Sequence, residues 1–259
     1  MISFMSRAKG WIYRKYKCNP FFCKKKHSNL MERLSHELRT SLTGIVGYSE
    51  FVQSSSAEPM VNFTAKIIQE SGLNLARASN SFFDLYLLES DQIQFEPAIF
   101  SISELVRDVV RIYQKKVINQ ALKISFTCSA ETFFSEMFSD VQRVRQVVDS
   151  LVFESVQSTG KGNSIFVDLS LSEEKNYVKL VLITVGSYSG ATPVELYQKF
   201  WNDEHYKFRL QAGPGVELAL SKALIYFLQG HVEYQINSGE NSRLIVELPL
   251  CYKKSKANR

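Results

Sequence analysis

The sequence predicts an α+β protein: a two-helix hairpin that dimerises as a four-helix bundle, then an α/β sandwich. Three observations carry this. Apolar residues recur at helical spacing on both sides of a break formed by Ser54, Ser55, Ser56 and Pro59. After Pro97 the texture changes to short alternating strands interleaved with helical stretches. The 259 residues exceed one typical domain and fall short of three.

In chain order, the first helix is expected from Ser28 to about Ser54, on Leu30, Leu34, Leu38, Leu42, Ile45, Val46 and Val52. A short turn leads into a second, from about Met60 to Glu89, through Phe63, Ile67, Leu73, Leu75, Phe82, Phe83, Leu85 and Leu88. The apolar stripe is too broad for one hairpin to cover, so a second copy is expected to cover it. Beyond Pro97 come a helix at Ser103–Gln120, a strand at Leu122–Cys128 and a helix from Asp140 to Gln157 that places Val144, Val147, Val148, Leu151 and Val152 on one side. Strands at Ser164–Leu171 and Tyr177–Val185 alternate cleanly. Helices near Pro193–Trp201 and Val216–Leu228 and strands at His231–Ile236 and Arg243–Leu248 complete the set, with strands in one layer and helices in the other. The expected organisation is a basic arm over residues 1–27, the hairpin over 28–95, the sandwich over 96–250 and a basic tail over 251–259.

Composition excludes several classes. Apolar residues make up 45% and charged residues 22%, which rules out wholesale disorder and collagen. Cys18, Cys23, Cys128 and Cys251 form no CxxC pair, so neither a zinc ribbon nor a disulfide framework is expected; a reducing cytoplasm is. The net charge of +5 is uneven: the chain before Glu32 is wholly basic, and so is the tail after Tyr252. The body between is acidic, which is not the footprint of a nucleic-acid binder. No apolar run is long enough to span a membrane. Trp11, Ile12, Tyr13, Phe21 and Phe22 lie among the bases of the arm, a composition suited to resting on an anionic membrane face; a solvated tail is the plainer alternative. With only residues 1–27 before the hairpin, a signal is expected to arrive through a partner, the arm or expression level.

The chemistry concentrates in Leu34-Ser35-His36-Glu37-Leu38-Arg39-Thr40-Ser41-Leu42. On a helix His36 and Thr40 share a face as i and i+4. His36 and Leu38 cannot both point inward, so the imidazole is expected in solvent. There it is a nucleophile toward phosphorus, with the Glu37 carboxylate beside it to hold its tautomer and take its proton. A lone His-Glu on a helix is ordinarily surface filler.

The surrounding residues overturn that bland reading. The segment Leu34–Tyr48 resembles the H-box of sensor histidine kinases, and the resemblance extends from about Ser28 to Leu250. Phe83-Asp84-Leu85 and Glu89-Ser90 resemble the end of that family's dimerisation hairpin. Asp140–Gln146 resembles the entry to its N-box helix, Tyr197–Trp201 its F-box, Gly213-Pro214-Gly215 the start of its second glycine box, and Glu247-Leu248-Pro249-Leu250 its ending. The resemblance implies that His36 is the phosphoacceptor, Glu37 its general base, and Thr40 the residue that helps position water when a partner is dephosphorylated. It implies a homodimer and a response-regulator receiver domain as partner. Ser41 departs from the pattern: the family has proline there, and serine restores a backbone donor and straightens the helix.

The nucleotide half departs further. Glu154 stands where the family's N-box asparagine binds magnesium, Ser150 replaces an earlier asparagine, and Gln157 replaces a lysine. Ser187 takes the place of the aspartate that reads adenine, with Tyr188 crowding it. In Gly215-Val216-Glu217 a carboxylate stands at the helix start that should receive phosphate, where like charge opposes binding. The ATP site built on Glu154, Ser187, Gly213 and Gly215 is therefore expected to be vestigial, with ATP and magnesium cofactors only if it still binds. Each change costs on the order of 1–3 kcal/mol, as for an unmade hydrogen bond or an unpaired charge.

The expected function is two-component signalling, with His36 exchanging a phosphoryl group with receiver domains as a phosphotransferase or pseudo-kinase. The alternatives are an autophosphorylating ATP-dependent kinase and a non-catalytic regulator that binds a kinase or receiver. An ATPase of the chaperone or mismatch-repair type shares the sandwich, but it gives no reason for the H-box. His27, His205 and His231 read as arm, exposed loop and strand start, and none belongs to a metal-ligand set.

Overall fold

The computed structural model describes residues 24–90, 92–118, 121–133, 135–160, 162–172, 176–185, 215–237 and 241–252. They divide into two compact units, Met1–Phe83 and Asp84–Arg259.

The first unit is a helical hairpin. Helix α1 runs over Lys24–Ser55 and α2 over Pro59–Glu89. Pro59 opens α2 because the first helical residue needs no N–H donor and its fixed φ suits the helix. Ser56 shapes the turn: its Oγ accepts from Glu58 N at 3.2 Å, and its carbonyl accepts from Asn62 Nδ2 at 2.9 Å. Between the helices Leu42, Ser49 and Ala65 are buried. The helices approach closely at Gly72, where a Cβ would stand 3.0 Å from Val46 Cγ2. Near the turn Gln53 donates to Gln69 at 3.1 Å, and Gln69 donates to Glu50 at 2.8 Å. Near His36, Arg39 donates to Asn80 at 3.1 Å.

The second unit is an α/β sandwich. Its elements are β1 (Pro97–Ser101), α3 (Ile102–Val117), β2 (Lys123–Cys128), α4 (Ala130–Phe133), β3 (Glu136–Asp140), α5 (Val141–Ser158), β4 (Ser164–Leu171), β5 (Tyr177–Val185), α6 (Gly215–Phe227), β6 (His231–Asn237) and β7 (Asn241–Pro249). The main sheet has the order β2-β4-β5-β7-β6, parallel at β2/β4 and antiparallel elsewhere. One face is apolar at every second residue: Ile165, Val167 and Leu169 of β4 meet Val144, Val147 and Val152 of α5 and Leu220, Leu224 and Ile225 of α6 in one core. The other face carries Thr127, whose hydroxyl donates to Asp168 at 2.7 Å, and the Lys179–Glu247 ion pair at 3.8 Å.

The observed β4 and β5 coincide with the expected strands. The other expected elements of the described residues are present, with ends shifted by a few residues: α1 starts at Lys24, inside the expected arm, and α3 ends at Val117. The expected helix at 193–201 lies outside the described residues. Two strands were not anticipated. Antiparallel β1 and β3 form a separate two-stranded sheet, and Cys251 forms a parallel bridge with Phe138 of β3. This corrects the expected tail boundary: Tyr252 N donates to Phe138 O at 2.9 Å, so residues 251 and 252 belong to the sandwich. Phe95 lies against them, its ring 4.1 Å from Tyr252 and 5.8 Å from Phe227.

Two contacts organise the helices of this unit. Asp140 caps α5, its Oδ1 accepting from Gln142 N at 3.0 Å and Arg143 N at 3.1 Å, while Oδ2 accepts from Glu96 N at 3.0 Å. Asp140→Ala would strand three amides at a site only 3% exposed. The expected loss is about 2 kcal/mol, read as a lower thermal midpoint. Asp84, in the last turns of α2, is held by α5: its Oδ1 accepts from Arg143 at 3.2 Å and its Oδ2 from Gln146 at 2.7 Å. Arg143 also donates to Gln146 at 3.0 Å, so the three side chains close a ring.

Candidate phosphoacceptor site

His36, Glu37 and Thr40 lie on one exposed stretch of α1. The helix passes through Ser41 without a break. Its carbonyls here take a second donor each: Thr40 Oγ1 to His36 O at 2.9 Å, Ser41 Oγ to Glu37 O at 3.0 Å and Thr43 Oγ1 to Arg39 O at 2.8 Å. A proline at 41 would have excluded that geometry, because its ring clashes with the carbonyl four residues back. The imidazole therefore stands exposed on an unbroken helix. Leu38 is exposed too, at 45%, but on the opposite side of the helix from His36, in a stripe with Leu34, Ile45 and Val52. That stripe is apolar, and the His36 side is polar and small-residued: Gly44 and Gly47, two and three turns on, have nothing near the place of a Cβ.

The residues expected around the nucleotide belong to the second unit. Glu154 on α5 is 4% exposed and Glu217, in the first turn of α6, is 8% exposed. Each has an interaction partner, and α5 packs against α6. Gly215 begins α6. Ser187 and Gly213 lie outside the described residues. Glu154 carries a carboxylate of the kind that ligates magnesium, and Glu217 sets negative charge in the first turn of α6, the end of a helix that draws anions. Ser150 on α5 is buried, and Thr184 and Ser242 share a hydrogen bond across β5 and β7. Among the described residues no group of three His, Cys, Asp or Glu side chains can hold a metal ion, and no helix is long and apolar enough to cross a membrane.

Two side-chain pairings near this chemistry escaped the sequence: Arg39 with Asn80, and Asp84 with Arg143 and Gln146. Arg39 was visible as part of the H-box pattern. Nothing local marks Asn80, whose partner lies 41 residues away.

An exposed histidine in the first helix of a hairpin, followed by a five-stranded sheet covered on one face by helices, is the arrangement that the resemblance to sensor histidine kinases implies. Residues 26–91 match the His Kinase A (phospho-acceptor) domain. The autoinducer 2 sensor kinase/phosphatase LuxQ of Vibrio cholerae is 25% identical over 226 residues, covering 86% of this chain and 26% of LuxQ. Full-length ShkA, solved with AMPPNP, superposes with a TM-score of 0.64 at 21% identity over 85% of this chain and 45% of that one. The kinase ThkA, solved with the response regulator TrrA, gives a TM-score of 0.56 at 19% identity over 92% of this chain and 65% of that one. Over most of its length the chain is similar to sensor histidine kinases. It spans about a quarter of the length of the curated relatives it matches.

Proposed function

We propose that this chain carries a phosphoryl group on His36 and exchanges it with the aspartate of a response-regulator receiver domain. It acts as a phosphotransferase on a kinase-type fold whose nucleotide half does not supply the phosphate. The observation that carries this is the contrast between the two units. The exposed His36-Glu37 pair is intact, whereas Glu154 and Glu217 of the nucleotide half are buried carboxylates. In the transfer the P–O bond of the aspartyl phosphate breaks as a P–N bond to the imidazole forms. The aspartate leaves as a carboxylate, and the proton on the other ring nitrogen passes to Glu37.

Dimerisation follows from the stripe on α1 and its counterpart on α2. Ile68, Leu75 and Phe82 are at least 36% exposed along one side of α2, a contiguous apolar face that a second copy of the hairpin would cover. The family's phosphoacceptor domain supports the same reading. Contact of the basic arm with an anionic membrane face remains part of the proposal and rests on its sequence alone.

Autophosphorylation from ATP is the second reading, favoured by the preserved sandwich. One experiment separates them: label on His36 is sought from radiolabelled Mg-ATP and, separately, from a phosphorylated receiver domain, alongside calorimetric titration with AMPPNP. We expect label from the receiver only, with nucleotide affinity lowered by several powers of ten, which three or four losses of about 1–3 kcal/mol each produce. Label from ATP would establish a working kinase. Label from neither donor would leave a non-catalytic regulator that binds a kinase or receiver.

A further inference from the structure

We infer that Asn80, through its hydrogen bond with Arg39, is a positioning residue that sets the aim of His36 toward a protein phosphoryl donor. This rests on the phosphotransfer reading above and names a part of the same site. Arg39 is three residues beyond His36, so the two lie on neighbouring positions of one side of α1. Its guanidinium crosses to α2 and donates to Asn80 Oδ1 at 3.1 Å. This is a side-chain bridge between the helices on the His36 side of the hairpin; another, through Gln53, Gln69 and Glu50, lies toward the turn.

Between the two bridges Leu42 is buried and Gly72 lies against Val46. Such contacts are non-directional and do not by themselves select one orientation of the side chains around them. A hydrogen bond is directional and selects one. Rotation of α1 swings His36 directly. Transfer between two macromolecules is sensitive to such a swing, because the donor phosphorus is held by its own protein and cannot follow the imidazole. A misplacement of about 1 Å can cost about a hundredfold in rate. A small diffusible donor approaches from whichever direction is open and is insensitive to the same swing.

The test uses the full chain and two donors: receiver domains charged with radiolabelled acetyl phosphate, and radiolabelled phosphoramidate. For Asn80→Ala we expect transfer from the receiver to slow by about tenfold at saturating donor with the half-saturating concentration unchanged. Phosphoramidate labelling of His36 is expected to stay within about twofold of the parent. Asn80→Asp keeps an oxygen for Arg39 and is expected to restore the receiver rate. Equal loss with both donors would make Asn80 merely structural, and an unchanged receiver rate, or no rescue by Asn80→Asp, would remove the positioning role; each overturns the inference. If the parent chain takes label from phosphoramidate and from no receiver, the phosphotransfer reading itself has failed and this inference falls with it.

Discussion

His36→Gln is expected to abolish acid-labile, base-stable phosphoryl label on the chain, a loss of about a thousandfold or more, whichever donor is used. Chemistry on one nucleophile has no substitute when that nucleophile is removed. The variant is chosen to leave the fold intact. His36 is exposed, glutamine matches its polarity and is a better helix former, and exposed substitutions usually change stability by less than about 0.5 kcal/mol. Circular dichroism and the oligomeric state should therefore match the parent. The stability of the label to base also identifies its bond: a phosphoramidate survives alkali, whereas an acyl phosphate on Asp or Glu does not. Label that persists on His36→Gln, or that alkali removes, would place the chemistry elsewhere. Binding of a receiver domain should survive the substitution, which separates carrying a phosphoryl group from merely docking the partner.

Gly230→Ala is expected to give the largest effect on stability away from the site. A Cβ at Gly230 would stand 2.5 Å from Glu247 O, 2.6 Å from Leu248 Cδ2 and 3.1 Å from Ile225 Cγ2. The backbone has no room to retreat, because Gly230 N donates to Ile225 O at 2.8 Å and the next residue, His231, pairs with Glu247 in the sheet. The nearest atom is a main-chain carbonyl of β7, so relief means moving a strand that is itself paired on both sides. Overpacking against a fixed backbone costs about 3 kcal/mol. For a unit of this size that lowers the thermal midpoint of the sandwich by about 6–12 °C. A scanning-calorimetry midpoint within two degrees of the parent would show that the turn yields after all. The hairpin transition should be unmoved, since Gly230 belongs to the other unit.

Local pattern made much of the fold legible. Strands β4 and β5 bury every second residue over most of their length, so their bounds could be read directly. Helix α5 buries Val144, Val147, Val148, Leu151 and Val152, the same residues whose spacing announced it. Strands β1 and β3 were hidden for a physical reason: they are five residues each, half exposed, and lie outside the main sheet. A short edge pair covers little apolar surface and leaves no periodic trace. The partner of Cys251 was equally invisible, being Phe138 more than a hundred residues earlier.

The sequence by itself determined the hairpin, the main strands, and an exposed histidine with a carboxylate beside it, because each is written in residues a few positions apart. Burial on a helix or strand repeats with the period of the element, and that period survives in one dimension. Only the tertiary structure decided which side chains meet: Arg39 with Asn80, Asp84 with Arg143 and Gln146, Asp140 with three amides, and Gly230 with the Glu247 carbonyl. Most of these partners stand tens of residues apart, and any exposed amide or carboxylate satisfies the same local pattern. Packing of the apolar faces fixes the distances first, and the polar partners are chosen by what those distances allow.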